Sequence, residues 1–334
     1  MKFGPVPLAE AAGAVLAHSV TVEGRKLKKG SVLGAGELDA MTRAGMAEVI
    51  VARLEPGDVA EDEAAARLAR ALVPDPAEAG LVLAEPFTGR VNILAAGPGV
   101  AVLDAAALEA FNRVHPMITI ATVPPFRQMA ARGMVATVKV ISYAVPGEAV
   151  ARACAAAPAA IRLARPVLRA ASLVVTRIPG GPGDEKGIAA IEARLEALEM
   201  RLAAVETVPH RAGPLAEALA RAAGDLVLIL TGSATSDIDD VAPSAVRAAG
   251  GRIERFGMPV DPGNLLFLGE LAGRPAIGLP GCARSPALNG ADWVLSRVAC
   301  GIPVTSEDIA GMGVGGLLKE IPTRPQPRRG REAG

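Results

Sequence analysis

The run Leu226-Val227-Leu228-Ile229-Leu230 contains no polar residue and passes directly into Thr231-Gly232-Ser233. A fully apolar stretch of this length, ended by a turn, is the pattern of a strand covered on both faces, as in the centre of a parallel sheet. The surrounding sequence agrees. Ala171 to Ile178 is another apolar strand and ends at Pro179-Gly180-Gly181-Pro182-Gly183. Ile188, Ile191, Leu195 and Leu198 recur at three- and four-residue steps, which marks a helix. The same spacing runs on to Leu202 and Val205, so Arg201 to Val208 reads equally as the end of that helix or as a strand. Leu215 to Ala223 is a helix closed by Gly224, and Pro243 suits the first turn of another that Gly250-Gly251 ends. Strands are expected at Arg252 to Phe256, Leu265 to Leu268 and Ala276 to Leu279, and a last helix from Pro286 to Val298. Strands alternating with helices imply an α/β fold, a three-layer and mostly parallel sheet with helices on both faces, over residues 167–325.

The rest divides into two segments. Residues 1–75 read as α+β: a basic turn from Gly24 to Gly30, a short helix at Glu37 to Ala44, a strand at Glu48 to Ala52 and a helix from Glu61 to Leu72 that Pro74-Asp75-Pro76 stops. Residues 76–166 are β-rich, with strands at Val91 to Leu94, Ile118 to Val123 and Val135 to Val145. Pro146 to Pro166 is expected to cross to the third segment. A tail at 326–334, rich in Pro and Arg, is expected to be disordered.

Composition narrows the function classes. The 334 residues are 51% hydrophobic but only 2% aromatic, so Ala, Leu and Val must fill the core and base-stacking platforms are not favoured. Lys plus Arg equals Asp plus Glu, at 35 each, so no global basic field points to nucleic acid. Cys154, Cys282 and Cys300 are odd in number and form no C-x-x-C pair, which reads as reduced thiols rather than a disulfide framework or zinc site. No apolar stretch approaches the ~20 residues of a membrane span. A soluble, cytoplasmic protein without membrane or nucleic-acid partners is expected.

Ligands of such sheets bind at the carboxyl ends of the strands, where three loops carry chemistry. Thr231-Gly232-Ser233-Ala234-Thr235-Ser236-Asp237-Ile238-Asp239-Asp240 combines small residues, which admit close approach to backbone N–H groups, with three acids that could hold a cation. The alternative is an acidic helix N-terminus complementing the dipole. No Walker Lys follows, so this is not a P-loop. In Leu279-Pro280-Gly281-Cys282-Ala283-Arg284-Ser285-Pro286, Gly281 and the following amides could cradle a phosphate with Arg284 as counter-charge, or the loop is an ordinary strand-to-helix turn. Cys282 has no His near it in sequence to activate it and reads as a small loop residue. The third loop, Pro179 to Lys186, brings a lysine within reach of an anion. His18, His115 and His210 lack ligand spacing and read as structural or surface residues.

Together these loops resemble the molybdopterin-binding domain of molybdenum cofactor biosynthesis proteins, which occurs in molybdopterin adenylyltransferases and molybdopterin molybdotransferases. Leu230-Thr231-Gly232-Ser233 with Asp240-Val241-Ala242-Pro243 is similar to the first hallmark of that family, and Leu279-Pro280-Gly281 to the second. Phe256-Gly257-Met258-Pro259-Val260-Asp261-Pro262-Gly263-Asn264, Gly281-Cys282-Ala283-Arg284-Ser285-Pro286 with Asn289-Gly290, and Gly311-Met312-Gly313-Val314-Gly315-Gly316 resemble one subgroup, as do Phe87-Thr88-Gly89-Arg90-Val91-Asn92 and Ala136-Thr137-Val138-Lys139-Val140. In that subgroup a nucleotidyltransferase domain is often fused to this region. Two places depart: Gly232-Ser233-Ala234-Thr235 stands where the family has Gly-Gly-Thr-Gly, and Cys282-Ala283-Arg284 where it has Ser/Asn-Pro.

The resemblance implies that this chain binds molybdopterin and acts in cofactor assembly at metal insertion or nucleotide attachment, with molybdate and a nucleotide as further partners. The alternative it leaves open is a carrier that hands molybdopterin to a nucleotidyltransferase or molybdoenzyme. The phosphate of the ligand would meet backbone amides at Gly232, Ser233, Ala234 and Thr235 and from Gly281 and Cys282 to Arg284, with Thr231, Asp237, Pro280 and Ser285 as further cofactor-binding residues. Asp240 would be catalytic and, with Asp239, would hold Mg²⁺. A homo-oligomer is implied as well, since relatives form dimers or trimers.

Overall fold

A computed structural model describes residues 1–181 and 183–318; the tail expected to be disordered lies outside them. The chain divides into two compact units, Met1–Gly97 with Ala101–Leu163, and Pro98–Val100 with Ala164 onward.

The first unit holds two hydrophobic cores. One lies under a three-stranded antiparallel sheet of Lys2–Pro7, Glu48–Arg53 and Val15–Leu16. Leu16, Leu33 and Met41 fill it, the last from the Ala35–Arg43 helix. The other lies under a four-stranded antiparallel sheet in the order Ile118–Thr122, Met134–Val140, Arg90–Ala95, Leu81–Leu83. Three helices, Glu61–Leu72, Ala105–Val114 and Gly147–Ala156, contribute Leu68, Leu72, Phe111, Ala149 and Val150 to it. The third of these was read from sequence as part of a crossing segment. Its Ala-rich stretch, Gly147-Glu148-Ala149-Val150-Ala151-Arg152-Ala153-Cys154, has the composition of a helix, and only its flanking prolines suggested otherwise. The strand expected from Val135 to Val145 is interrupted, ending at Val140 and resuming at Ala144–Pro146.

The second unit is mixed α/β around a six-stranded sheet. Its elements are β1 (Ala170–Arg177), α1 (Glu185–Glu196), β2 (Arg201–Pro209), α2 (Ala212–Arg221), β3 (Leu226–Leu230), α3 (Val241–Ala248), β4 (Arg252–Phe256), β5 (Phe267–Leu271), β6 (Arg274–Leu279), α4 (Gly290–Ala299) and α5 (Ser306–Gly311). The strand order is β2-β1-β3-β6-β5-β4. Strands β2, β1, β3 and β6 are parallel, while β5 pairs antiparallel with both β6 and β4. Side-chain alternation assigns the faces. Leu173, Val175, Leu226, Leu228 and Leu230 pack with Ile191 and Leu195 of α1 and Val294 and Leu295 of α4. Val174, Val227 and Ile229 pack with Leu215 and Leu219 of α2 and Val246 of α3. All five residues of β3 are fully buried, each contributing roughly 1.5–3 kcal/mol of transfer free energy; that is why this strand could be read from its composition alone.

One open reading is decided and two sequence expectations shift. Arg201 to Pro209 is a strand, because β1 needs a second parallel neighbour and the helix ends at Glu196. The strand expected at Leu265 starts at Phe267, whose ring lies over Gly278 of β6, where a Cβ would sit 1.9 Å from it. The last helix begins at Gly290 rather than Pro286, since Asn289 and Asp292 form a capping box there. Among the described residues no helix is long and apolar enough to cross a membrane.

Candidate functional site

The chain leaves β1 toward β2 on one side and returns to β3 on the other. This reversal opens a crevice at the carboxyl ends of β1 and β3, the place where open α/β sheets bind ligands. The loops after β1, β3 and β6 all end there, and Arg284 ties them together. Its Nη2 donates to the carbonyl of Thr231 at 3.0 Å, its Nη1 donates to the carbonyl of Gly183 at 3.4 Å, and the same Nη1 is 3.9 Å from Asp184. Asp184 is buried and is also bonded by Nε of Arg177. Burial holds the Arg284 guanidinium below its ordinary range, and Asp184 opposes that shift. Arg284 was expected as a counter-charge for a ligand; in the structure its donors brace three loops.

Gly232 was expected to offer a free amide. Its N–H instead donates to Oγ1 of Thr176 on β1 at 3.0 Å. A Cβ at Gly232 would lie 2.6 Å from the carbonyl oxygen of Thr176 and 3.2 Å from the nitrogen of Ile178. Glycine is therefore required here by the approach of the loop to β1. The carbonyl of Thr231 and the N–H of Gly232 belong to one peptide group, so Arg284 and Thr176 hold that plane from opposite ends. Thr231 and Thr235 are buried with their hydroxyl oxygens 3.3 Å apart. Among the described residues the N–H groups of Ser233, Ala234 and Thr235 have no protein acceptor, and Ser233 and Ala234 are exposed.

The acids of this loop serve its own backbone. Asp240 caps α3 by accepting from the N–H of Val241 at 2.7 Å, and its other oxygen accepts from Ser236 N–H at 3.0 Å. Asp239 pairs with Arg247 at 2.7 Å, and Asp237 accepts from the N–H of Asp239 at 2.8 Å. Among the described residues no three His, Cys, Asp or Glu side chains converge. Mg²⁺ is ordinarily held by one or two carboxylates, with water and ligand phosphate completing its shell, so an ion at Asp239 and Asp240 would share their oxygens with these bonds. The arrangement is that of an acidic helix N-terminus.

Pro280 to Ser285 forms a 3-10 turn, with Ala283 N–H donating to Pro280 O and Ser285 N–H to Cys282 O. Gly281, Cys282, Arg284 and Ser285 face Gly183, Lys186 and Gly187 across a cavity of about 800 Å³, walled by Ala189, Ala190 and Ala193 of α1. A second cavity of about 620 Å³ adjoins it over Arg177, Gly181 and Lys186. Gly281 has open space around its Cβ position. The turn is fixed by Arg194 of α1, which sequence reasoning missed. Its guanidinium pairs with Asp292 at 2.5 Å and donates to the carbonyls of Ala190, Ala283, Ser285 and Ala287. Nothing in the spacing of one Arg on a helix distinguishes it from its exposed neighbours.

Residues 5–53 match the model of a family described as a domain of unknown function (DUF8806). No curated protein matches the chain. Among solved structures the chain is similar to the molybdopterin biosynthesis moea protein from Pyrococcus horikosii, at 13% identity and a TM-score of 0.32, over 90% of this chain and 75% of that one.

Proposed function

We propose that the second unit binds molybdopterin in the crevice at the ends of β1, β3 and β6, and that the chain acts in molybdenum cofactor assembly at metal insertion or nucleotide attachment. One observation carries this: the loops whose residues bear the family resemblance converge on Arg284, which bonds Thr231 and Gly183 from its own turn. The phosphate of the ligand takes the amides of Ser233, Ala234 and Thr235, with Lys186 of the cavity wall as the counter-charge. The alanine wall of α1 suits the flat pterin, and Gly281 admits it close to the backbone. The dithiolene of the bound ligand supplies the sulfurs that hold molybdenum.

A carrier that passes molybdopterin to a nucleotidyltransferase or molybdoenzyme is the second reading. The engagement of both Asp240 oxygens by loop amides favours it. Incubation with molybdopterin, molybdate and Mg-ATP separates the two. Adenylated or metallated product establishes an enzyme; retention of unchanged, bound molybdopterin establishes a carrier. Failure of the wild-type protein to bind molybdopterin at all would refute both.

A further inference from the structure

His210 lies just beyond the end of β2, and its Nδ1 is 2.8 Å from Oγ1 of Thr176. The same oxygen accepts the N–H of Gly232 at 3.0 Å. Thr176 is fully buried, and among the described residues its hydroxyl proton has no acceptor other than His210. A buried hydroxyl left without an acceptor is costly, so the hydroxyl donates to Nδ1 and the imidazole carries its proton on Nε2. The reverse tautomer would place two donors, His210 N–H and Gly232 N–H, on one oxygen and strand the hydroxyl proton. The chain of bonds runs in one direction, from Gly232 N–H to the Thr176 hydroxyl to the imidazole.

We propose that His210 is a positioning residue for the Thr231–Asp240 loop. By accepting from Thr176 it fixes the hydroxyl in the orientation that receives the Gly232 amide. With Arg284 on the Thr231 carbonyl, this pins the peptide plane from which Ser233, Ala234 and Thr235 follow. The three amides without protein acceptors are thus set before a ligand arrives. Pre-organised donors bind an anion more tightly than donors that must first be ordered. The consequence for ligand affinity rests on the function proposed above; the positioning of the loop does not.

The test uses the full chain and three variants. His210→Asn keeps an acceptor near the position of Nδ1, His210→Leu removes it, and Thr176→Val removes the hydroxyl. Nitrogen-15 histidine spectra at pH 7.5, with the His210 signals assigned by their loss in His210→Asn, should show the Nε2–H tautomer. Hydrogen exchange of the peptide spanning residues 226–240 should rise on the order of tenfold in His210→Leu and Thr176→Val and return to near the wild-type rate in His210→Asn. Molybdopterin affinity should follow the same order. An Nδ1–H tautomer, or equal exchange in the Leu and Asn variants, overturns the proposal. The spectra and exchange need no ligand. A wild-type protein that shows the expected tautomer and exchange but binds no molybdopterin therefore refutes the binding function and upholds the role of His210 in the loop.

Discussion

Gly232 and Gly281 both sit in loops that a sequence reader would give to a ligand, yet the structure gives them different work. Alanine at each separates the two. At position 232 the new Cβ would meet the Thr176 carbonyl oxygen at 2.6 Å and the Ile178 nitrogen at 3.2 Å. Both are backbone atoms at the end of β1, which β2 and β3 hold on either side, so neither can yield as a side-chain end would. Overpacking of this kind costs about 1–3 kcal/mol. Displacing the loop also breaks the Gly232 to Thr176 bond, worth about 1 kcal/mol. Gly232→Ala should therefore destabilise the second unit by roughly 2–4 kcal/mol. Gly281→Ala meets open space and should stay within about 0.5 kcal/mol of wild type, while weakening ligand binding. The chain has one tryptophan, Trp293, which packs on the core of the second unit. Its fluorescence in a urea titration reports that unit selectively. A Gly232→Ala transition coinciding with wild type would refute the packing argument, as would a Gly281→Ala loss as large as that of Gly232→Ala.

Three further outcomes follow from the same geometry. Arg194→Met should cost the second unit about 3–5 kcal/mol in the same titration, because it leaves the nearly buried Asp292 carboxylate without its ion partner; a loss below 1 kcal/mol would show that the turn after β6 does not depend on it. Asp225 accepts from the N–H groups of Arg169 and Ala170, and these bonds hold its carboxyl below the usual range. A depressed folded value means that its contribution is present above the unfolded value of about 3.9 and is lost as pH falls through the folded one. The stability gap between wild type and Asp225→Asn should narrow as pH is lowered from 5 toward about 3, and a gap independent of pH would contradict this. Burial raises the Cys300 thiol to about 11, so at pH 7.5 iodoacetamide should label Cys300 only on unfolding. Cys282, in the cavity wall, should label in the native protein and be protected by molybdopterin; equal labelling of the two thiols, or no protection of Cys282, would count against the cavity as the binding place.

What the sequence revealed follows physical lines. The β3 run, the Glu61–Leu72 helix and the alternation of the second unit were legible because each element buries a face that its own residues announce. The three loops at the strand ends were legible as loops, through Gly, Pro and the strands before them. What their polar groups do was not, since the partners lie far away in the chain. Thr176 reaches Gly232 across 56 positions, and Arg284 reaches Thr231 across 53. The acid cluster illustrates the limit. Asp237, Asp239 and Asp240 read equally as cation ligands or as a helix terminus, and spacing alone does not show that they accept from the amides of Asp239, Ser236 and Val241. His210 was set aside because histidines without ligand spacing are usually structural; here the structural role falls on the loop that matters.

Molybdopterin bound in the crevice would travel with the protein through purification. The most direct measurement is to purify the chain from a host that makes the cofactor, oxidise it, and quantify the fluorescent pterin released, alongside the Gly281→Ala and Lys186→Ala variants. Near-stoichiometric pterin in wild type, with loss in both variants at unchanged stability, is the predicted result. A wild-type protein that yields no pterin and takes up none when molybdopterin is added would contradict it.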